Sequence, residues 1–265
     1  MILTLHKPPG WTPLEAMEAL RARTPALTGE PMVYAGRLDP MAEGLLLVLT
    51  GDDRYALPAH LGHDKDYDAT FLFGVCSDTF DALGRLAPVA PVAPVAPDPS
   101  ACVAAVAGLT GAHDLPLPAW SAYKVQRRPL HAWAHEGRLH EIVLPVRRMQ
   151  VTAVGQVSGA PVRADALLDD VLARIDRVQG QFRQDQARAD WLARAAEDPA
   201  LFVVRATLTV SSGTFVRALA HSLGERLGCG GLLLALRRTR IGDYRACDAH
   251  VSDERVSETQ LRDPR

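Results

Sequence analysis

Residues 45–49, Leu-Leu-Leu-Val-Leu, follow directly on a loop punctuated by Gly36, Pro40 and Gly44. A run that short and uniformly apolar has no face for solvent, so it predicts a fully buried strand. Pro40 fixes its own backbone and biases Asp39 towards an extended conformation, while the two glycines permit tight bends. The stretch Val33-Tyr34-Ala35-Gly36-Arg37-Leu38-Asp39-Pro40-Met41-Ala42-Glu43-Gly44 therefore presents one carboxylate, Asp39, on a stiff loop at a sheet edge. By local pattern alone such an Asp is a turn residue. A chemical role requires partners from elsewhere in the chain.

The chain of 265 residues is 48% hydrophobic and 23% charged, which suits a globular fold of one large domain or two small ones. A formal charge of −2 excludes a globally basic polyanion binder, so any nucleic-acid contact rests on local clusters. Lysine occurs only at positions 7, 65 and 124, and the other basic residues are arginine, the side chain suited to bidentate phosphate contacts. The cysteines at 76, 102, 229 and 247 form no Cys-x-x-Cys pair and no secretory signal precedes them, which predicts reduced thiols in the cytoplasm. No apolar run approaches the roughly 20 residues of a membrane span. The nine histidines are scattered and give no metal-ligand cluster.

Residues 2–5 read as a strand ending in the turn His6-Lys7-Pro8-Pro9-Gly10-Trp11. Thr12-Pro13-Leu14-Glu15 is a capping box with proline at the first helical position, predicting a helix to about residue 23. Lys7 reads as a phosphate contact or a solvated turn residue. Residues 66–74 alternate, with Tyr67, Ala69, Phe71 and Phe73 on one face of a strand. A polar loop is expected over 77–84 and an extended Ala-Pro-Val linker over 87–97. Helical patterns follow at 100–109 and 130–135, with a constrained connection through Pro118 and Lys124 between them. Strands are expected at 142–144 and 149–154, flanking the candidate phosphate contacts Arg147 and Arg148. Residues 158–200 have charged helical periodicity broken near Gly180, which predicts a helical hairpin appended to the main domain. A strand at 204–210 then turns into a helix with a stripe of Val216, Leu219, Ala220, Leu223 and Leu227, stopped by Gly228. Arg217 lies in the first turn of that helix, where a cation opposes the helix dipole unless a carboxylate compensates. That conflict makes it a candidate functional residue. The last strand, 232–236, runs into the densest basic cluster, Arg237-Arg238-Thr239-Arg240.

These pieces, in this order, resemble the TruB-type tRNA pseudouridine synthases. The resemblance rests on Lys7-Pro8-Pro9-Gly10-Trp11-Thr12, on residues 36–44, on Lys65-Asp66-Tyr67 with Asp78-Thr79-Phe80-Asp81-Ala82-Leu83-Gly84, and on Pro118-Ala119-Trp120-Ser121-Ala122-Tyr123-Lys124. Gly213-Thr214-Phe215-Val216-Arg217, residues 223–230 and Leu236-Arg237-Arg238-Thr239 complete it. It covers most of the chain outside 158–200. It implies an α+β pseudouridine synthase fold, a mixed and largely antiparallel sheet with flanking helices and a central catalytic cleft. It also implies isomerisation of uridine 55 in the T loop of tRNA, with no cofactor and no metal.

The resemblance places the catalytic aspartate on Asp39, the active-site tyrosine on Tyr67, the aspartate-pairing arginine on Arg217 and an apolar pocket residue on Leu236. Breaking an N-glycosidic bond and rejoining the base through C5 suits a carboxylate, acting as nucleophile at C1′ or as base towards the 2′ hydrogen. Arg217 would orient it by a bidentate pair, Tyr67 would stack on the flipped base and Leu236 would line the pocket. The surrounding side chains expected to touch RNA are Tyr34, Phe215, Lys7, Arg37, Arg54, Lys124, Arg237 and Arg238. Three positions depart from the family pattern: Tyr34 replaces a usual histidine, Phe215 a second tyrosine, and Tyr55 a usual lysine with Arg54 adjacent. The expected organisation is a catalytic domain over 1–250 and a short tail over 251–265, with no separate C-terminal RNA-binding domain. Residues 158–200 are a candidate for part of that domain's role. The expected partner is the tRNA elbow, no membrane is involved, and a monomer is implied. A synthase for another tRNA or rRNA uridine, and a tRNA-folding chaperone, are the competing readings.

Overall fold

The computed structural model describes residues 1–87, 95–197, 199–246 and 250–251. The N-terminal elements are β1 (Ile2–Lys7), α1 (Pro13–Arg23), β2 (Met32–Ala35), β3 (Glu43–Thr50) and α2 (Leu57–Leu61). Then come β4 (Lys65–Phe73), the short pair β5 (Cys76–Ser77) and β6 (Leu86–Ala87), α3 (Pro99–Ala107) and β7 (Gly111–Pro116). A second short pair, β8 (Lys124–Val125) and β9 (Arg128–Pro129), leads into α4 (Leu130–His135). The chain continues through β10 (Val146–Val162), α5 (Ala164–Asp176), α6 (Gln184–Ala196) and β11 (Leu201–Val210). It closes with α7 (Val216–Leu227), β12 (Gly231–Ile241), β13 (Tyr244–Arg245) and β14 (His250–Val251).

Among the described residues one sheet of ten strands runs in the order β14-β1-β3-β12-β4-β11-β10-β7, with β2 beside β3 and β13 beside β12. Its pairings are antiparallel except β1 with β14 and β12 with β3. The expected α+β architecture, mixed and largely antiparallel, is the one observed. Residues 45–49 are all fully buried in β3, because β1 lies along one edge while β12 and then β2 take the other.

Strand alternation sorts the apolar residues onto two faces. Tyr67, Ala69, Phe71 and Phe73 of β4 share one face with Val204, Ala206 and Leu208 of β11, under α3 and α7. Leu72, Leu201, Val203, Leu232 and Leu234 face the other way, under α5 and α6. An irregularity between Leu233 and Ala235 shifts the β12 register by one, so Leu233 and Leu236 both fall on the first face. The capping box of α1 forms as expected: Thr12 N–H donates to Glu15 at 2.6 Å, and Glu15 N–H donates to the Thr12 hydroxyl at 3.2 Å.

Several expectations need correction. The helical hairpin starts at Ala164, since β10 runs unbroken to Val162, and it is not appended: Leu167, Val171, Ile175 and Trp191 are the cover of the second face. Each such side chain contributes about 1.5–3 kcal/mol by burial, so deleting the hairpin would uncover the sheet. The Trp191 indole also donates to Ala82 O at 3.0 Å. The strand expected at 142–144 does not form: these residues are irregular, and β10 starts only after Pro145. The polar loop 77–84 folds inward, with Ser77 and Asp81 buried. Of the 87–97 linker, 88–94 lie outside the described residues, as do 252–265 of the expected tail. No helix among the described residues is long and apolar enough to cross a membrane.

Candidate active site

The loop between β2 and β3 is held from three sides. Gly10 N–H donates to Pro40 O at 2.8 Å, and Ala42 N–H closes a turn onto Asp39 O at 3.0 Å. The third restraint is Arg238, fully buried on β12. Its guanidinium donates to Leu45 O at 2.7 Å, Arg37 O at 2.9 Å and Gly36 O at 3.2 Å. Gly44 allows this approach: at φ +107° it lies against Arg238, where a Cβ would meet the Arg238 carbonyl at 2.3 Å.

Lys7 is also fully buried, its ammonium donating to Pro8 O at 3.0 Å and Trp11 O at 2.6 Å. Lys7 and Arg238 therefore contact no phosphate. Tight bends turn several carbonyls away from water, and these two cations supply the donors. Arg237, its neighbour on the same strand, is exposed but lies outside the cleft wall, because alternate strand residues point to opposite faces. Arg54 also lies outside the wall; it stacks 4.2 Å over the exposed Tyr55 ring and donates to Gly51 O at 2.8 Å.

Burial pushes the Lys7 ammonium from 10.5 down to about 7, with Asp39 opposing and Arg238 assisting. The unfolded chain then binds more protons above pH 7, so stability rises with pH from about 7 towards 10.5. Burial and Arg238 lower Lys65 to about 8, which acts in the same direction. Urea unfolding between pH 7 and 8.5 should show this rise in the wild type and a smaller slope in Lys7→Met. Equal slopes would remove Lys7 as its source.

Arg217 stands in the first turn of α7, as expected, and the carboxylate that answers its dipole conflict is Asp39. Its Nη2 donates to Asp39 Oδ1 at 3.1 Å, and Nε lies 2.8 Å from Oδ2 as an ion-pair contact outside hydrogen-bond alignment. The Arg217 side chain is 4% exposed and that of Asp39 35%, so the arginine is sealed while its carboxylate faces the cleft. A second carboxylate, not singled out from the sequence, completes the group: Asp81 Oδ2 lies 3.3 Å from Arg217 Nη1. Asp81 Oδ1 accepts from the Thr79 hydroxyl at 2.7 Å and from Leu83 N–H at 3.0 Å, and Nη1 also donates to Thr79 O at 2.7 Å. Burial raises the Asp81 carboxyl above its ordinary value despite Arg217. Burial alone would lower the Arg217 guanidinium, but Asp39 and Asp81 outweigh it and the net direction is upward. The Asp78–Gly84 motif held the sequence signal for Asp81, within a stretch read only as a polar loop.

The cleft that Asp39 faces measures about 1130 Å³. Tyr67 and Leu236, both nearly buried on adjacent strands, form its floor beside Asp39 and Arg217. Tyr34 and Phe215 are on its walls, with Arg37 and Lys124 exposed at the rim. Arg147 also lines it, its guanidinium packed over Gly213. Arg148 instead faces Asp114, at 3.5 Å. A volume above the roughly 300–1,000 Å³ of small-molecule pockets suits part of a larger ligand.

Residues 27–166 match the model of the TruB family pseudouridylate synthase (N terminal domain). The tRNA pseudouridine synthase B of Leifsonia xyli is 33% identical over 251 residues, 94% of this chain and 69% of that protein. The tRNA pseudouridine synthase B of Xanthomonas campestris is 32% identical over 92% of this chain and 64% of its own length, and that of Thermobifida fusca 34% over 97% and 74%. The chain thus spans about two thirds of the curated relatives it matches. In fold it is similar to a Cbf5-Nop10-Gar1 complex (TM-score 0.53, 20% identity, 94% of this chain and 51% of that one). A similar likeness joins it to an H/ACA RNP bound to a substrate RNA containing 2′-deoxyuridine (TM-score 0.52, 18% identity, 94% and 50%). With the matched segment spanning β2 to the start of α5, and the relatives aligned along nearly the whole chain, this protein belongs to the TruB family of pseudouridylate synthases.

Proposed function

We propose that this chain isomerises uridine 55 in the T loop of tRNA to pseudouridine, with Asp39 as the catalytic residue. The observation that carries this reading is the Arg217–Asp39 pair, sealed on the arginine side and open to a large cleft on the other. In the reaction the C1′–N1 bond breaks, the detached base turns, and C1′ rejoins it at C5. C5 then loses its hydrogen as a proton and N1 gains one, so the product is an isomer and no electron acceptor is required. Asp39 acts on the sugar, as nucleophile at C1′ or as base at the 2′ hydrogen, and Arg217 fixes its direction. Tyr67 stacks on the base and Leu236 closes the apolar side. Asp81 is a positioning residue: it anchors the far side of the guanidinium, so Arg217 presents Nε and Nη2 to Asp39.

A uridine stacked in a loop must leave the stack to reach this carboxylate, and Arg37, Lys124 and Arg147 at the cleft suit the RNA backbone around it. Names of relatives support tRNA as the substrate class. Mapping pseudouridines in tRNA from cells with and without this chain tests the reading. Loss confined to T-loop position 55 is expected. Loss at another uridine would keep the chemistry and move the substrate, and an unchanged map would refute the proposal.

A further inference from the structure

The turn between α5 and α6 forms part of the cleft rim, although it lies beyond the segment that matches the family model. Phe182 stands at its tip, 39% exposed, and lines the cleft. The turn that carries it is braced on both sides. The Gln184 amide donates to Val178 O at 3.0 Å and Gly180 O at 2.6 Å, while its oxygen accepts from Phe182 N–H at 2.9 Å. Arg183, next in sequence, is held in the left-handed region at φ 59°. Such a backbone persists when its surroundings over-determine it, and here they do. The guanidinium lies 3.7 Å over the Trp120 ring and makes a two-pronged pair with Asp78, at 2.6 and 3.1 Å. At the other end, Gln179 N–H meets Gly10 O at 3.4 Å, where the backbone of Arg177 packs against Gly10. The hairpin thus ties the Lys7–Trp11 turn, the Asp78 loop and the Trp120 segment together, yet leaves its own aromatic ring partly exposed at the cleft rim.

A ring held at the cleft rim on a braced turn, more than one-third exposed, presents a fixed apolar face to whatever the cleft holds. The geometry points to Phe182 as a stacking platform for a second nucleobase of the RNA, one that is unstacked beside the target uridine and held at the rim. This rests on the reading of the cleft as a tRNA site. RNA rather than protein is the occupant the surroundings favour: the ring adjoins the cleft that carries Lys124, Arg37 and Arg147, and stacking accepts any base face. Arg183 is spent on Asp78 and Trp120, so it positions the ring and makes no phosphate contact of its own.

Losing one base–aromatic stack should weaken RNA capture about tenfold. Steady-state kinetics on a tRNA transcript would compare wild type, Phe182→Ala, Phe182→Leu and Phe182→Tyr, with Leu192→Ala, exposed elsewhere on α6, as control. KM should rise about tenfold in the Ala and Leu variants, with kcat changed less than twofold, and return towards wild type in the Tyr variant. An unchanged KM in Phe182→Ala, or recovery by Leu as complete as by Tyr, would overturn the proposal. Filter binding of the same transcript gives a readout independent of turnover. Should the wild type make no pseudouridine, the functional reading fails, and equal filter binding by wild type and Phe182→Ala sinks the platform separately.

Discussion

Asp39→Asn should lower turnover on tRNA by at least about 10³-fold, some 4 kcal/mol of transition-state stabilisation, while RNA affinity stays within about twofold. The change keeps the shape of the side chain and removes the charge that either role at the sugar requires. Folding should survive it, because the Asp39 side chain is one-third exposed and its loop is pinned through backbone carbonyls rather than through the carboxylate. Single-turnover assays with saturating enzyme separate chemistry from binding. Turnover within tenfold of wild type would remove Asp39 from the reaction.

Arg217→Met should cost both activity and about 3–5 kcal/mol of stability, because it leaves Asp81 buried without its cation. The sign of the pH dependence follows from Asp81. Its folded pKa is raised above 3.8 by burial, so its contribution is favourable below that value and is lost as pH rises through the folded pKa. Removing Arg217 takes away the main opposing influence and raises it further. The stability gap between wild type and variant should therefore widen in denaturant titrations as pH rises through the wild-type Asp81 pKa. Adding Asp81→Asn should recover part of the stability and none of the turnover. Recovery of both would mean that Arg217 serves the fold alone.

What was legible in the sequence follows physical pattern closely. Residues 45–49 announced a strand buried on both sides because nothing in them can face water, and Thr12 with Glu15 announced a helix start because the cap is purely local. Arg217 was legible through a conflict, a cation at the wrong end of a helix, and the structure resolves it with Asp39. Lys7 and Arg238 misled because a charged side chain near a basic cluster reads as exposed, whereas carbonyls turned inward at Gly36 and Arg37 demanded buried donors. Only the fold reveals that demand. The alternation of β12 carried a hint, since within Arg237-Arg238 one arginine must point inward. Asp81 stayed hidden because a run of small polar residues looks the same whether it faces solvent or folds in. The Val146–Val162 strand was read too short because Gly155, Gly159 and Pro161 interrupt its pattern, and its irregular registers near Gly155 fit that interruption.

The position of β12 bears on how the molecule assembles. Strands β1 to β3 and strands β4 to β11 make no direct pairing with each other among the described residues; β12 lies between them. A nascent chain on the ribosome therefore holds two separate sheet fragments until residues 231–241 emerge, and only then can Arg238 reach back to lock the Asp39 loop. The Asp39 loop is thus encoded early in the chain and locked by one of its last strands.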